Sequence, residues 1–465
     1  MPLEGDQAGL RVSYSGVRGI YGESLTVAVA ARFGEAFARL VSERFPAPTV
    51  IVGRDTRPSG NELLPAVIRG LTRLPCSLID VGVVPSPTVQ VAMAELGAQA
   101  AIIITASHNP AQWNGFKFLI GPHDIVLNAD QTRQLFELSR QAAEPSAPGA
   151  AAPVAADRHQ EALGAHLRRV LAQVDLAPIR RRRFKVAVDS CLGAGQGVTE
   201  RLLQELGCGV VPVRAKRDSE PIAANLGALT AAVVEHRCDI GLAQDLDADR
   251  LALVTEDGKA IGEECTLAFA VDHLLERAGD VSAVVVKNSS TSRMIDDLCA
   301  AHGAELRVAK VGEVNLSQAM IELQGQGRAV FGGEGNGGVI YPPVCYGRDS
   351  LIGIALVLEY AAASGRPLSA LAAKLPQYHI IKRKLEGLAP ERVPQALARV
   401  RRLFEGQAMS DFDGLKVTLS DGAWVQVRPS NTEPIVRIIA ESASPELSES
   451  LYRQVEQEIA PLLSR

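Results

Sequence analysis

Residues 100–110, AAIIITASHNP, form a short apolar run that ends in a cluster of polar side chains. Similar β-branched runs occur at residues 49–53 (TVIVG), 185–189 (KVAVD), 239–243 (DIGLA) and 282–287 (SAVVVK). Strands of this composition are buried on both faces of a sheet, and the longer segments between them have helical patterns. The sequence therefore predicts an α/β protein with functional groups in the loops at strand ends.

One of the intervening helices is clearly marked. Apolar residues recur at three- and four-residue spacing from Val29 to Val41, and Pro46 follows shortly afterwards. Ser24 is the expected N-cap. These signals predict a helix that begins at Ser24 and ends near Arg44.

The composition excludes several classes of protein. With 47% hydrophobic and 22% charged residues, the chain has the average composition of soluble globular proteins and not that of disordered or fibrous ones. A formal net charge of −5 provides no overall positive field for nucleic acid or an anionic membrane. We therefore expect neither as a partner, and an anionic ligand would be bound by local groups.

The N-terminal residues, the most apolar stretch and the cysteines indicate the cellular compartment of the protein. Residues 1–13, MPLEGDQAGLRVS, lack the basic start and the apolar stretch of a signal peptide. The most apolar stretch, residues 351–358, ends at Glu359 and is far shorter than the roughly 18 residues needed to cross a bilayer. The seven cysteines are scattered without a CxxC pair, as is typical of reduced thiols. We expect a cytoplasmic protein without a membrane segment.

The chain is long enough for about three domains, with two or four also acceptable. Residues 144–156, EPSAPGAAAPVAA, have the composition of a linker, and weaker boundaries fall at residues 256–264 and 374–384. The expected units are 1–150, 157–260, 261–375 and 376–465. The last one reads as a small α+β unit, because Asp413-Gly414 and Asp421-Gly422 are hairpin-turn dipeptides.

Ser107 is the first candidate catalytic residue. It places a hydroxyl at the end of the strand in residues 100–105, as expected of a nucleophile or a phosphate carrier. Serine and asparagine could instead only shape the turn. However, His108, Asn109, Asn114 and Lys117 supply more polar groups than a turn requires.

Asp245, Asp247 and Asp249 occupy alternate positions in a loop, which predicts a site for a hard cation such as Mg²⁺. The spacing also resembles the start of a calcium EF-hand loop. Arg250, however, stands where that loop needs glycine, and the flanks are strand-like. We expect Arg250 to neutralise a phosphate beside the cation.

Residues 332–338, GGEGNGG, form a glycine-rich segment without the lysine of a P-loop or a complete GxGxxG turn. Its Glu334 and Asn336 suit vicinal sugar hydroxyls better than phosphate. A phosphate is expected instead in the segment that begins at Arg428, because guanidinium, hydroxyl and amide groups are concentrated there. The residues concerned are Arg428, Ser430, Asn431, Thr432 and Arg437.

In this order, the four loops resemble those of the α-D-phosphohexomutase superfamily, which includes phosphoglucomutases, phosphomannomutases and phosphoglucosamine mutases. Further matching strings are residues 15–19 (SGVRG), 52–57 (VGRDTR), 84–88 (VPSPT) and 310–315 (KVGEVN), so the resemblance spans nearly the whole chain. It implies four domains around a central cleft, three of them related mixed α/β domains and the fourth a smaller α+β domain.

The resemblance also implies a mechanism. Ser107 would carry a phosphoryl group, and Asp245, Asp247 and Asp249 would hold Mg²⁺ together with an oxygen on Ser107. A hexose monophosphate would be converted through a hexose 1,6-bisphosphate, which also serves as activator. Glu334 and Asn336 would bind O3 and O4 of the sugar. The partners expected are small hexose phosphates, and the protein is expected to be a monomer or a homodimer.

The proton acceptor and the substrate remain open. Many relatives carry a histidine at the end of the sugar-binding loop, where this chain has Gly338. Lys117, Arg18 and His108 are the candidates, and Lys117 ranks first because a lysine flanked by cations loses its proton near neutral pH. Glucose, mannose and glucosamine differ at C2, whereas Glu334 and Asn336 would bind O3 and O4, so these two residues do not identify the substrate. The alternatives are a non-catalytic sugar-phosphate binding protein and, less favoured, a metal-dependent phosphatase with an aspartate nucleophile.

Overall fold

Four β-sheets follow one another along the chain, and each is packed against helices. The structure, a computed structural model, describes residues 3–4, 9–13, 16–142, 156–279, 282–429 and 435–463. Most of the expected linker lies outside these described residues. The four sheets confirm the predicted four-domain α/β architecture.

The first unit combines β1 (Leu3–Glu4), β2 (Arg11–Ser13), β3 (Gly16–Ile20), α1 (Val27–Ser42), β4 (Thr49–Arg54), α2 (Gly60–Leu71), β5 (Ser77–Val83), α3 (Ser86–Leu96), β6 (Ala100–Ile104), β7 (Trp113–Ile120), β8 (Ile125–Val126), α4 (Ala129–Gln141) and β9 (Ala156–Asp157). The sheet order is β1-β2-β3-β7-β6-β4-β5-β9, and β8 pairs with β7. Strand β9 follows the linker and still pairs with β5, so the chain returns to the first sheet before it enters the second unit.

The second unit consists of α5 (His159–Leu171), α6 (Leu176–Arg182), β10 (Lys185–Asp189), α7 (Val198–Glu205), β11 (Gly209–Pro212), α8 (Gly227–Glu235), β12 (Ile240–Gln244) and β13 (Leu251–Thr255). The third consists of α9 (Glu263–Ala278), β14 (Ala283–Asn288), α10 (Met294–His302), β15 (Glu305–Ala309), α11 (Glu313–Leu323), β16 (Ala329–Glu334), β17 (Gly338–Ile340), α12 (Ser350–Ser364) and α13 (Leu368–Ala372).

The same topology recurs in the first three sheets. The orders β5-β4-β6-β7, β11-β10-β12-β13 and β15-β14-β16-β17 each contain three parallel strands followed by one antiparallel strand. The connection between the last two strands therefore occupies the same place in every unit. The three segments share no recognisable sequence repeat, because each unit buries different side chains on one shared backbone plan.

The fourth unit is antiparallel, as predicted for the C-terminal segment. It consists of β18 (His379–Glu386), α14 (Val393–Leu403), β19 (Ala408–Ser410), β20 (Leu415–Thr418), β21 (Trp424–Pro429), β22 (Ile435–Ser442) and α15 (Pro445–Ile459), with sheet order β18-β22-β21-β20-β19. Gly414 and Gly422 lie in the two predicted hairpin turns with φ of 75° and 83°, values that favour glycine.

The hydrophobic cores show how the units are joined. One continuous apolar cluster extends from Phe184 in the second unit to Leu356 in the third, so these two units share a core. The first and fourth units have cores of their own. No helix in the described part of the chain is both long and apolar enough to cross a membrane.

The N-terminus of α1 corrects one prediction. Thr26, not Ser24, is the N-cap, because the Thr26 hydroxyl accepts the hydrogen bond from the Val29 amide. The Ser24 hydroxyl instead accepts from the amide of Ile20 and closes the turn before the helix. Both residues are good caps, so their sequence preferences alone could not separate the two positions.

Candidate active site

Three loops meet at one cleft, and each is the connection between the last two strands of its sheet. Ser107 lies between β6 and β7, Asp245 to Asp249 lie between β12 and β13, and Asn336 lies between β16 and β17. The cleft has a volume of about 960 Å³. Of the predicted site residues, those that line it are Arg18, Ser107, His108, Lys117, Arg250, Glu334, Asn336, Arg428 and Arg437.

The Ser107 loop is held in place by Arg57, which lies just after strand β4. Arg57 donates to the carbonyl oxygens of Ser107, Asn109, Pro110 and Trp113 over 2.7 to 3.0 Å. Ser107 itself has a φ of 50°, an uncommon backbone conformation for a residue with a side chain. Such conformations occur where surrounding contacts impose them, often at functional sites.

The three loop aspartates are fully buried behind the cleft, and one carboxylate oxygen from each lies within 4.8 Å of those from the other two. The flanking elements are strands β12 and β13, which rules out an EF-hand. Burial and the two neighbouring carboxylates raise the pKa of Asp245 well above its usual range. All three can be ionised together only when cations compensate their charges.

Lys117 supplies part of that compensation. Its Nζ donates to Oδ2 of Asp247 over 2.6 Å and to Oδ2 of Asp249 over 3.0 Å. Burial would lower the pKa of Lys117, but these two carboxylates outweigh it and raise the pKa. The expectation that cations flank Lys117 is therefore wrong, since its direct partners are anions.

His108 lies on the opposite side of the serine. Its Nδ1 is 3.0 Å from a guanidinium nitrogen of Arg250 and 3.5 Å from Oγ of Ser107. The charge on Arg250, together with burial and the charge on Arg18, holds the pKa of His108 well below its usual range. His108 is therefore neutral at neutral pH. Burial also lowers the pKa of Arg18 to about 10.

The sugar-binding loop presents Glu334 as a well-anchored carboxylate. The side chain of Asn288 donates to its Oε1 over 2.8 Å, and Arg348 donates to its Oε2 over 2.6 Å. Burial alone would raise the pKa of Glu334, but the charge on Arg348 and the bond from Asn288 outweigh it and hold the pKa below the usual value. Asn336 donates to the same carboxylate over 3.3 Å.

The fourth unit closes the cleft with two arginines. Arg428 on β21 and Arg437 on β22 are directly opposite in the strand register, so both side chains leave the same face of the sheet. The Nε of Arg428 is buried and has no hydrogen-bond partner within the described ranges. Ser430, Asn431 and Thr432 lie outside the described residues, and their assignment stays a prediction.

Sequence analysis missed several residues that shape this site. Asp55 and Arg57 fall in a string that supported the resemblance, but no role was assigned to them. Ser86 donates its hydroxyl to Oδ2 of Asp247 over 2.6 Å, and Arg348 connects two loops. Residues of these types give no local signal of their role, and only the tertiary contacts show it.

A cleft that is lined by arginines and has a serine hydroxyl against buried carboxylates is typical of enzymes that transfer phosphoryl groups. Four family models described as phosphoglucomutase/phosphomannomutase match the chain: α/β/α domain I at residues 11–145, domain II at 164–258, domain III at 263–378 and the C-terminal domain at 381–458.

Curated relatives cover almost the whole chain. A phosphoglucomutase/phosphomannomutase of Thermococcus kodakarensis is 36% identical over 93% of this chain and 94% of its own length. A Methanopyrus kandleri protein named "probable phosphoglucosamine mutase" is 36% identical over 94% of this chain and 95% of its own. A solved phosphoglucomutase/phosphomannomutase family protein of Burkholderia thailandensis superimposes with a TM-score of 0.80, at 26% identity, over 97% of this chain and 98% of that one.

The chain therefore belongs to the phosphoglucomutase/phosphomannomutase family of the α-D-phosphohexomutase superfamily. The predicted enzyme class is confirmed: the protein is a phosphohexomutase, an isomerase that moves a phosphoryl group between C6 and C1 of a hexose. The comparisons give no support to the non-catalytic alternative.

Proposed function

We propose that Ser107 carries the phosphoryl group that this enzyme exchanges with its hexose phosphate substrates. The observation that carries the proposal is the hydrogen bond of 3.1 Å from Oγ of Ser107 to Oδ2 of Asp245, at the floor of the cleft. A phosphoserine at this position faces Arg250 and His108, and it lies beside the carboxylate triad. These are the surroundings that phosphoryl transfer requires.

We further propose that Asp245, Asp247, Asp249 and Ser107 hold Mg²⁺. The residues fit a hard cation, because Oδ1 of Asp247 and Oδ1 of Asp249 are buried acceptors without a hydrogen-bond partner in the described part of the chain. When bound, the ion would neutralise charge on the phosphoryl oxygens.

In the forward half-reaction, the O6 or O1 hydroxyl of the substrate attacks the phosphorus of phosphoserine 107. The P–O bond to Oγ breaks as the new P–O bond forms, and the product is a hexose 1,6-bisphosphate. Arg428 and Arg437 bind the phosphate that does not react. Glu334 and Asn336 hold O3 and O4 in both orientations, so that the bisphosphate can turn around and return its other phosphoryl group to Ser107.

The attacking hydroxyl must lose its proton to a group in the cleft. Lys117 and His108 are the candidates, because both line the cleft. His108 approaches Ser107 as a neutral imidazole, whereas Lys117 is held protonated by Asp247 and Asp249 and must lose these ion pairs before it can accept a proton. His108 is neutral but its Nδ1 already faces Arg250. Comparing the pH dependence of kcat for Lys117→Arg and His108→Gln separates the two, since only loss of the true acceptor removes the acidic limb of the profile, where that base becomes protonated.

The substrate is a phosphorylated glucose, mannose or glucosamine. The deciding experiment is a coupled assay of the pure protein with the 1-phosphates of all three, with Mg²⁺ and a catalytic amount of glucose 1,6-bisphosphate. Ser107→Ala is the matched control. Turnover by the wild type and none by Ser107→Ala supports the proposal, whereas hydrolysis to free phosphate by both would favour the phosphatase with an aspartate nucleophile.

A further inference from the structure

Arg348 lies between two of the loops that form the active site. Its guanidinium donates to Oδ2 of Asp249 over 2.7 Å and to Oε2 of Glu334 over 2.6 Å. Its Nε is 3.2 Å from a carboxylate oxygen of Glu313 at the start of α11. One side chain thus contacts a member of the aspartate triad, the sugar-binding glutamate and a third carboxylate.

The fold makes room for this side chain. A Cβ atom placed on Gly338 would lie 2.3 Å from Cδ of Arg348 and 2.7 Å from its Cγ. Gly338 has no positive φ, so its backbone does not require glycine. The space that any side chain at the end of the sugar-binding loop would occupy is therefore filled by Arg348.

The surroundings hold Arg348 in one geometry. Its side chain is 12% exposed, and Glu313 accepts a hydrogen bond of 3.3 Å from Gln90 of the first unit through its other oxygen. The backbone at Gly347 lies close to the side chain of Gln90. A Cβ atom placed on Gly347 would lie 2.3 Å from Nε2 of Gln90. Groups from all three α/β units thus fix the position of the guanidinium.

We propose that Arg348 is a positioning residue that joins the sugar-binding site to the metal-binding triad. It holds Glu334 at the place where the sugar hydroxyls bind, and it shares Asp249 with the cation. Guanidinium is suited to this, because its planar fork spans two carboxylates, whereas an ammonium is a point charge. The proposal rests on the proposed function of the triad and of Glu334.

The test separates the charge of Arg348 from its geometry. In Arg348→Lys the charge stays but the fork is lost, so the KM for glucose 1-phosphate should rise about tenfold while Mg²⁺ affinity stays within about twofold of the wild type. In Arg348→Gln a cation beside Asp249 is removed, so KM should rise and Mg²⁺, titrated alone by calorimetry, should bind severalfold more tightly. If Arg348 had only a structural role, its replacement would raise KM, weaken Mg²⁺ binding and lower the Tm together.

The matched control is Arg277→Gln. Arg277 also pairs with a buried carboxylate, Glu359, at 3.0 Å, but it lies outside the cleft. The Arg277→Gln variant should therefore keep the KM and the Mg²⁺ affinity of the wild type. An unchanged KM in both Arg348 variants would overturn the proposal.

A second variant leaves Arg348 itself intact. Gly338→Ala forces the added methyl group against Cδ of Arg348, so its KM should rise about as much as in Arg348→Gln. In the double variant Gly338→Ala/Arg348→Gln, the two effects should not add, because the methyl group no longer has an arginine to displace. Full additivity, or no effect of Gly338→Ala alone, contradicts the proposal.

The readouts also distinguish this proposal from the proposed function. If the wild type isomerises none of the hexose phosphates, the proposed function fails. Binding of Mg²⁺ and of glucose 1-phosphate by calorimetry still measures whether Arg348 couples the two sites. If the wild type is active and the variants match it, only the role of Arg348 fails.

Discussion

Ser107 and Asp245 are 138 positions apart in the chain, yet Oγ of Ser107 donates a hydrogen bond of 3.1 Å to Oδ2 of Asp245. The serine belongs to the first sheet and the aspartate to the second. The contact between the two units is secured beside it by Ser86, whose amide donates to the carbonyl of Asp247 over 2.9 Å. The catalytic geometry therefore depends on how the two units pack and not on either loop alone.

We predict that the active protein carries one phosphoryl group on Ser107, because the proposed exchange needs a phosphorylated enzyme before the first turnover. The intact mass should exceed that of the unmodified chain by one phosphoryl group, and tandem mass spectra should place it on Ser107. Ser107→Ala should lose nearly all mutase activity. Phosphate located on another residue, or a Ser107→Ala variant with most of its activity, would contradict this assignment.

We predict that turnover requires Mg²⁺ and that Asp247→Asn weakens Mg²⁺ binding at least tenfold, because a charged hard ligand is replaced by a neutral one. Calorimetric titration with Mg²⁺ measures the affinity, and exhaustive EDTA treatment should abolish activity. Asp272→Asn is the control, since Asp272 pairs with His302 away from the cleft. Full activity after chelation would refute the metal requirement.

The strand-end loops were predictable because their chemistry is local. Ser107 and Asp245 to Asp249 follow recognisable buried strands, and their polar groups are dense enough to stand out. The role of Arg348 was not predictable, because it depends on space left by Gly338 and on carboxylates 14 and 99 positions away. The neighbours of Lys117 were mispredicted for the same reason: both of its aspartate partners belong to the second sheet.

The three-fold topological repeat was expected only from the family resemblance and not from any repeat in the sequence. Strands β4, β10 and β14 occupy the same central place, but they share no sequence pattern beyond burial and β-branched residues. Burial constrains the type of side chain and not its identity. Fold class can therefore be predicted from periodicity, whereas the equivalence of the three functional loops requires the pairing of the strands.

Glu263, at the start of α9, should make stability depend on pH. Burial raises its pKa to about 7 from a usual value of 4.5, against the opposing charges of Arg250 and Lys382. The folded protein thus keeps this proton at pH values where the unfolded chain has lost it. The contribution of Glu263 to stability is therefore present at acidic pH and is lost as the pH rises from about 4.5 to about 7.

Glu263→Gln removes this dependence, because glutamine stays neutral at every pH. Its Tm should exceed that of the wild type at pH 8, while the difference should shrink at acidic pH. Thermal unfolding measured across this range checks it, with Glu137→Gln as an exposed control that should behave like the wild type. A Tm difference that does not change with pH would contradict the raised pKa of Glu263.

Arg428 lies opposite Arg437 on the next strand, and we predict that it binds the phosphate that does not react. Both guanidinium groups line the cleft, and guanidinium is well suited to bind phosphate through charge-assisted hydrogen bonds. Loss of one charge-assisted contact costs about 1.5 to 3 kcal/mol, or roughly ten- to more than a hundredfold in affinity. Arg428→Ala should raise KM accordingly.

Weakened binding of the distal phosphate should also release the bisphosphate during reorientation, so Arg428→Ala should depend strongly on added glucose 1,6-bisphosphate. Arg428→Lys should recover only part of the loss, because an ammonium cannot reproduce the planar fork. The control is Arg453→Ala, because Arg453 is an exposed residue on α15. This variant should change neither KM nor the dependence on added bisphosphate. If Arg428→Ala keeps the KM of the wild type and needs no added bisphosphate, the fourth unit does not hold the distal phosphate, and a single cleft serving both orientations of the intermediate is excluded.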